Sequence, residues 1–244
     1  MNRYFARVEY DGTEFAGWQV QPDQRTVQGS IEKALAVYLQ SPIRVVGAGR
    51  TDAGVHGRGQ ALHFDTEHTL SSKSALRALN SLLPDDVALY DLSPVTSDFH
   101  ARFSACSRRY RYYLSTEKHP LSHRFYSRVS YPVDWTRFSE ELSCLPGERI
   151  FTSLCSSRCY TDNHRCRITE ATLTQLDDTH FVVSLTADRF LYNMVRNIVG
   201  TVIDISRGYL EEGILEILEK RDRSAAGVTA PARGLVLEYV SYDT

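Results

Sequence analysis

The chain has 244 residues, a formal net charge of −2 and 24% charged residues. This length suits one large domain or two of about 100–150 residues, and the near-neutral charge argues against a protein that coats nucleic acid indiscriminately. The N-terminus lacks the apolar run of a signal peptide, and no stretch is apolar enough to cross a membrane. Five cysteines without an export signal favour a reducing cytoplasm.

Hydrophobic spacing predicts the order β-α-β-β-α-β in the first part of the chain. Strands show alternation of apolar residues, and helices show apolar residues three or four positions apart. The predicted elements are strand 4–10, a helix capped by Thr26 that carries Val27, Ile31, Leu35 and Leu39, strands 43–46 and 60–65, a helix capped by Ser71 and ended by Pro84, and strand 87–95.

The second part repeats this order more loosely. Its predicted elements are strand 108–115, a helix capped by Asp134, a hairpin of 167–176 and 181–187 around Asp177 and Asp178, a helix over 191–205 that stops near Gly208, a short helix over 213–219, and strand 235–239. We therefore predict an α+β protein with two ferredoxin-like, RRM-like halves, 1–104 and 105–244, packed around a central cleft.

Residues 47–59 contain five glycines, and among them lie Asp52, Arg50, His56 and Arg58. Glycine permits positive φ and lets a ligand approach the main chain, and a carboxylate between arginines stays ionised. The segment therefore predicts a flexible cradle that presents one ionised carboxylate; a glycine-rich hairpin with a surface Arg–Asp pair is the simpler alternative. The glycine spacing matches neither a P-loop nor a dinucleotide fingerprint, so we expect no nucleotide cofactor.

A basic segment rich in aromatic residues lies between residues 99 and 128. Its cations, set against the single acid Glu117, are Arg102, Arg108, Arg109, Arg111, Lys118, Arg124 and Arg128. Interleaved with them are Phe103, Tyr110, Tyr112, Tyr113, Phe125 and Tyr126. Cations bind phosphates and aromatic faces stack on unpaired bases, so this segment favours RNA binding. A strand pair with a basic face and core aromatics is the alternative.

The sequence from Gly47 to His56, Gly-Ala-Gly-Arg-Thr-Asp-Ala-Gly-Val-His, resembles the signature of the tRNA pseudouridine synthase A family. Further segments resemble this family's motifs in the same order along nearly the whole chain. They are Tyr10 to Thr13 with Phe15 and Gly17 to Gln19, Thr26 to Gln28, Phe99 to Ala105 followed by Arg109 to Tyr112, Phe190 to Gly200, and Ala230-Pro231 with Gly234-Leu235.

This resemblance implies an isomerase that converts uridine to pseudouridine at positions 38 to 40 of the tRNA anticodon stem-loop. It further implies a cytoplasmic homodimer that needs no cofactor, with tRNA as its partner and no membrane association. A non-catalytic binder built from two RRM-like units is disfavoured, because neither half has the RRM core motif and such a binder has no use for Asp52. A cysteine-rich metalloprotein is the second rival.

The resemblance also implies roles for individual residues. Asp52 takes the place of the catalytic carboxylate, and whether it attacks C1′ or C6 or assists an elimination stays open. Arg196 matches the arginine that pairs with this carboxylate. It shares a polar or small stripe of its helix with Asn193, Asn197, Gly200 and Asp204; an exposed arginine is the alternative. Tyr110 matches a residue that contacts the target base, although a core-facing tyrosine is the alternative from strand alternation.

Four further residues are predicted to contact RNA. Arg50 and Arg58 are candidates for phosphate binding, and His100 and Arg102 either contact RNA or lock the junction between the halves. His56 is as easily a hydrogen-bonding anchor of the loop as a catalyst.

The chain departs from the family's pattern between residues 147 and 166. Cys155, Cys159, His164 and Cys166 crowd together there, but they lack the paired C-x-x-C spacing of common zinc modules. We therefore expect no metal site.

Overall fold

The structure is a computed structural model that describes residues 1–156 and 161–243, and the chain divides into two compact units. The first comprises Met1–Cys106 and the segment that begins at Val236, and the second comprises Ser107–Leu235. The sequence places the last strand in a second half, 105–244. In the structure this strand is grouped with the first unit, because Val236 and Leu237 pair with His56 and Gly57.

The first unit has the predicted order of strands and helices. Its elements are β1 (Asn2–Tyr10), α1 (Val27–Leu39), β2 (Val45–Gly47), β3 (His56–Thr66), α2 (Ser72–Leu82) and β4 (Val87–Val95). Strands β4, β1, β3 and β2 lie side by side in that order and pair antiparallel, which is the ferredoxin-like arrangement. The last strand of the chain, Leu235–Tyr242, adds a short parallel pairing to β3.

The core of the first unit forms between this sheet and the two helices. Alternate residues of β1 are buried, as a half-buried strand requires, and α1 buries one stripe that includes Ile31 and Leu35. Thr26 caps α1, since its Oγ1 accepts a hydrogen bond from the Gly29 N–H at 3.3 Å. The spacing of apolar residues therefore predicts both the elements and the faces that they bury.

The second unit contains the remaining elements. They are β5 (Ala105–Ser115), β6 (Ser127–Arg128), α3 (Trp135–Ser143), β7 (Gly147–Ile150), β8 (Arg165–Gln175), β9 (His180–Ala187), α4 (Met194–Ser206) and α5 (Ile214–Lys220), followed by β10, the strand Leu235–Tyr242. Strands β5, β9, β8 and β7 lie side by side and pair antiparallel. The predicted strands and helices are confirmed, while the short strands β6 and β7 were not predicted.

Helix α4 begins at Met194, three residues later than predicted. The preceding Asn193 has a left-handed backbone with φ of 60°, a conformation that ends regular helix and that asparagine tolerates better than most residues. The helix stops at Ser206, before Gly208 with φ of 74°, as predicted. None of the helices in the described part of the chain has the length and apolarity needed to cross a bilayer.

Strand β3 begins at His56, four residues before the predicted start. Two glycines inside it, Gly57 and Gly59, lie where the protein packs too closely for a side chain. A Cβ at Gly57 would lie 2.5 Å from the Tyr10 ring, and one at Gly59 would lie 2.4 Å from the Glu238 carbonyl oxygen. These two glycines therefore serve packing and not flexibility.

The turn at residues 99–104 is attached to β3 through His63. Its ring is almost fully buried, its Nδ1 accepts a hydrogen bond from the Ala101 N–H at 3.1 Å, and its ring centroid lies 4.9 Å from that of His100. Tyr242 donates a hydrogen bond to the Ala101 carbonyl oxygen at 2.7 Å. Burial, followed by the charge of Arg3, lowers the pKa of His63 to about 4, so the ring is neutral at neutral pH.

We expect Gly57→Ala to lower the free energy of unfolding by about 1–3 kcal/mol, because the added methyl group forces the buried Tyr10 ring to move. Urea denaturation measures this loss. Gly49→Ala is the matched control, since a Cβ at Gly49 would meet nothing within 4 Å. Equal stability of Gly57→Ala and the parent would show that β3 does not pack against Tyr10 as described.

The lowered pKa of His63 predicts a pH dependence of stability. The folded state resists protonation, whereas the unfolded chain binds the proton at its ordinary pKa of 6.5. Stability due to this group is therefore present above about pH 6.5 and is lost progressively as the pH falls to about 4, by about 1–3 kcal/mol. Urea denaturation of His63→Gln between pH 7 and 5 should show a weaker pH dependence than the parent. The exposed His68→Gln should leave the parent's dependence unchanged.

Candidate active site

The main chain around Asp52 is held in place by the segment Phe15–Trp18. The Trp18 N–H donates to the Thr51 carbonyl oxygen at 3.0 Å, and the Gly54 N–H donates to the Phe15 carbonyl oxygen at 3.3 Å. A third bond, from the Val55 N–H to the Asp52 carbonyl oxygen at 3.1 Å, closes the turn. Asp52 itself is half-buried. Fixed main chain on both sides gives its carboxylate a defined starting direction.

The close contact between these two segments depends on glycines. Gly17 has φ of 102°, and a Cβ there would lie 2.7 Å from the Thr51 carbonyl oxygen. Gly54 has φ of 76°, and a Cβ on Gly47 would lie 2.6 Å from the Trp18 ring. The Tyr10 hydroxyl is also hydrogen-bonded to Thr51 Oγ1 at 2.8 Å. The segment that presents Asp52 is therefore tightly anchored, which corrects the prediction of a flexible cradle.

His56 anchors this loop through its side chain. It is almost completely buried, and its Nδ1 accepts a hydrogen bond from the Gly12 N–H at 3.0 Å. The same Nδ1 also lies 3.1 Å from a carboxylate oxygen of Asp11. Of the two predicted roles, the geometry supports the structural one.

The arginines of the glycine-rich segment differ in their surroundings. Arg58 is exposed and pairs with Glu238, with 2.8 Å between Nη1 and Oε1. Arg50 is exposed on the loop two residues before Asp52. Arg50 is therefore the better placed of the two to meet an anion, while phosphate binding by either stays a prediction.

The turn at 99–104 carries His100 and Arg102. The Nδ1 atom of His100 accepts hydrogen bonds from the N–H groups of Arg102 and Phe103 at 3.2 and 3.3 Å. Phe103 is 76% exposed, its ring centroid lies 4.4 Å from that of His100, and the Arg102 guanidinium lies 5.5 Å from the Phe103 ring. This turn presents an exposed aromatic face beside a cation.

The two tyrosines of β5 have different environments. Tyr112 is fully buried, and its hydroxyl donates a hydrogen bond to the Pro231 carbonyl oxygen at 2.7 Å. Burial raises the pKa of Tyr112 well above its usual range. Tyr110 is only half-buried, and its ring meets the Phe190 ring edge-on at 5.2 Å. Tyr112 is thus a core residue, and Tyr110 has a partly accessible ring.

Arg196 of α4 is held at both its main chain and its side chain. Its Nε donates to the Ala230 carbonyl oxygen at 2.7 Å, and its Nη1 donates to Asn193 Oδ1 at 3.2 Å. The Ala230 N–H donates in return to the Arg196 carbonyl oxygen at 3.1 Å. These bonds orient the guanidinium relative to the helix, so Arg196 is not the loosely exposed arginine of the alternative prediction.

The polar stripe of α4 is buried beneath residues 227–230, which we call the strap. Three side chains of α4 accept hydrogen bonds from the strap. Thr201 accepts one from the Gly227 N–H at 3.1 Å, and Asp204 accepts one from the Val228 N–H at 3.1 Å. Asn197 accepts the third from the Thr229 hydroxyl at 2.7 Å. A Cβ at Gly200 would collide with the Val228 carbonyl oxygen. The stripe therefore fixes the strap, and through Ala230 it fixes Arg196.

The predicted cysteine cluster is only partly within the described chain. Cys155 and Cys166 are buried, and His164 Nδ1 lies 3.0 Å from the Thr152 hydroxyl. Cys159 lies outside the described residues. Within residues 1–156 and 161–243, no group of three or more His, Cys, Asp or Glu side chains is arranged to hold a metal ion.

The chain matches known proteins along nearly its whole length. A family model described as tRNA pseudouridine synthase matches residues 6–104 and 143–243. A protein named tRNA pseudouridine synthase A from Anoxybacillus flavithermus is 44% identical over 246 residues and is covered completely, as is this chain. One of the same name from Bacteroides thetaiotaomicron is 42% identical over 247 residues, covering 99% of this chain and 91% of that protein. The chain therefore belongs to the tRNA pseudouridine synthase A family, a family of isomerases.

Proposed function

We propose that this protein isomerises uridine to pseudouridine at positions 38 to 40 of the tRNA anticodon stem-loop, with Asp52 as the catalytic carboxylate and without a cofactor. Family membership supports the isomerisation of tRNA uridines. The observation that carries the assignment to Asp52 is its position in the signature segment, on main chain anchored by Phe15–Trp18. The stem-loop position rests on the resemblance of the motifs.

An anchored carboxylate suits this reaction because the N1–C1′ bond must break and the same uracil must rejoin through C5. A covalent or charge-stabilised intermediate divides this rearrangement into easier steps. The reacting oxygen must then lie within about 3–3.5 Å of its target, which favours a carboxylate on rigid main chain. Attack on C1′, attack on C6 and assistance of an elimination are all compatible with this arrangement.

Arg196 is proposed to pair with Asp52 and to keep it ionised. A guanidinium beside a carboxylate favours the charged form, and attack or assistance of an elimination would each use that charged form. The bonds of Arg196 to Ala230 and Asn193 support this role, because they fix the direction of the guanidinium independently of Asp52. The strap then acts as the support of Arg196, as the segment Phe15–Trp18 does for Asp52.

The target uridine lies in a base-paired stem and must leave the helix to be reached. Tyr110 is proposed to stack on the flipped base, because its ring is half-buried and braced by Phe190. Whether its hydroxyl also handles a proton stays open. In this proposal the first half, 1–104, supplies the carboxylate of Asp52, and the second half, 105–244, supplies Tyr110 and Arg196.

The rest of the tRNA is proposed to meet cations and an exposed aromatic ring. Arg50 and Arg58 offer positive charge near the loop of Asp52, and the turn with His100 and Arg102 presents the exposed Phe103 beside a guanidinium. Phosphates bind such cations, and unpaired bases stack on such rings. By the same resemblance, the protein is proposed to act as a homodimer in the cytoplasm.

We expect Asp52→Asn to fold, to bind tRNA with near-parent affinity and to lose pseudouridine formation by about 10⁴-fold or more, since the change removes the reacting charge while keeping the shape. Chemical mapping of pseudouridine in unmodified tRNA measures the product, and filter binding measures affinity. Asp91→Asn makes the same chemical change on the surface of the first unit and should retain parent activity. A folded Asp52→Asn protein that still isomerises uridine would overturn the assignment.

We expect Arg196→Met to lower turnover far more than tRNA affinity, because the loss falls on the charge state and direction of Asp52. The acid limb of the rate profile should move to higher pH, since a carboxylate without its cation protonates more easily. Single-turnover rates between pH 5.5 and 9 measure this shift. The exposed Arg165→Met is the control. A parent-like profile with parent-like turnover would rule out the proposed pair.

A further inference from the structure

Gly49 is a glycine that neither packing nor backbone geometry requires. Its φ lies outside the left-handed region, unlike that of Gly17 or Gly54. Apart from its two chain neighbours, no atom of the described residues would lie within 4 Å of a Cβ built on Gly49, so the space above its Cα is open. The residue is partly exposed, and a ligand can therefore reach this surface.

The other glycines of residues 47–59 all have a reason within the protein. Gly47 lies against the Trp18 ring, Gly57 against the Tyr10 ring and Gly59 against the Glu238 carbonyl oxygen, and Gly54 has positive φ. Gly49 differs from them because an alanine would fit its surroundings and its backbone.

Flexibility does not explain Gly49 either. The Ala48 N–H donates to the Ala61 carbonyl oxygen at 2.8 Å, and the side chain of the fully buried Gln60 donates to the Gly49 carbonyl oxygen at 3.0 Å. The Thr51 carbonyl oxygen is held by Trp18. Main chain that is bound on both sides gains nothing from glycine's mobility, and glycine lowers stability by increasing the entropy of the unfolded chain.

We propose that the open face of Gly49 is the surface on which the target nucleotide rests, so that the substrate occupies the space where a side chain would stand. This inference rests on the proposed function and adds a binding contact to it. Asp52 follows three residues later, within about 10 Å along the chain, and the exposed Arg50 lies between them. The ligand is therefore a nucleotide whose sugar or base lies against the Gly49 main chain and whose phosphate faces Arg50.

Gly49→Ala and Gly49→Val test this proposal in the full-length protein with unmodified tRNA. The melting temperature should stay level or rise by about 1–4 °C in the alanine variant, because the unfolded chain loses freedom and nothing clashes. The single-turnover rate should fall at least tenfold in the alanine variant and further in the valine variant, while tRNA affinity changes less than threefold. A gain in stability with a loss of rate is what a purely structural role does not produce.

Gly213→Ala is the matched control, since its backbone is also ordinary and its nearest neighbour, the Glu141 carboxylate, lies 3.4 Å from the added Cβ; its rate should equal that of the parent. If the parent is active and Gly49→Ala is equally active, the proposal for Gly49 is overturned while the proposed function stands. A marked loss of stability in Gly49→Ala would also overturn it, in favour of a packing role. A parent that forms no pseudouridine would overturn both this inference and the proposed function.

Discussion

The proposed catalytic arrangement depends first on the main-chain contact between Phe15–Trp18 and the turn that carries Asp52. A side-chain carboxylate has only two rotatable bonds, so its position is as well defined as the main chain that bears it. Two hydrogen bonds between the segments and one inside the turn fix that main chain, and Gly17 permits the contact because any side chain there would strike Thr51. Ordering these glycines costs conformational entropy. The burial of the Trp18 and Tyr10 side chains helps to offset that cost.

A similar principle operates around Arg196 with different chemistry. The helix α4 presents Asn197, Thr201 and Asp204 to the strap, and each of these buried groups has a hydrogen-bond partner there. A buried polar group without a partner is costly, so this interface tolerates few alternative registers. The guanidinium of Arg196 donates a hydrogen bond to Ala230 at the end of the strap, so its position is fixed together with that of the strap. The burial of these polar side chains adds little to stability, but it fixes the position of the strap and of Arg196.

Much of the fold can be predicted from the sequence, because local periodicity determines it. Alternation in β1 and helical spacing in α1 are strong signals, and the Asp177 turn between β8 and β9 has the residues that such turns prefer. The sequence does not predict the start of β3, because glycines are depleted in strands and Gly57 is there only to let the Tyr10 ring approach. The sequence does not predict the strap, because its bonds to the side chains of α4 span 24 to 32 residues, and such contacts leave no local pattern.

The sequence names candidate residues for the site, but it does not tell why each glycine of residues 47–59 is a glycine. A run of glycines in sequence looks like one feature, whereas the structure separates positions that serve packing, positions that need positive φ, and Gly49, which serves neither. If the nucleotide rests on Gly49, its position and that of Asp52 are set by the same anchored stretch of main chain. The distance between the reacting groups then varies little with side-chain motion, and the precision that proximity catalysis requires comes from the backbone itself.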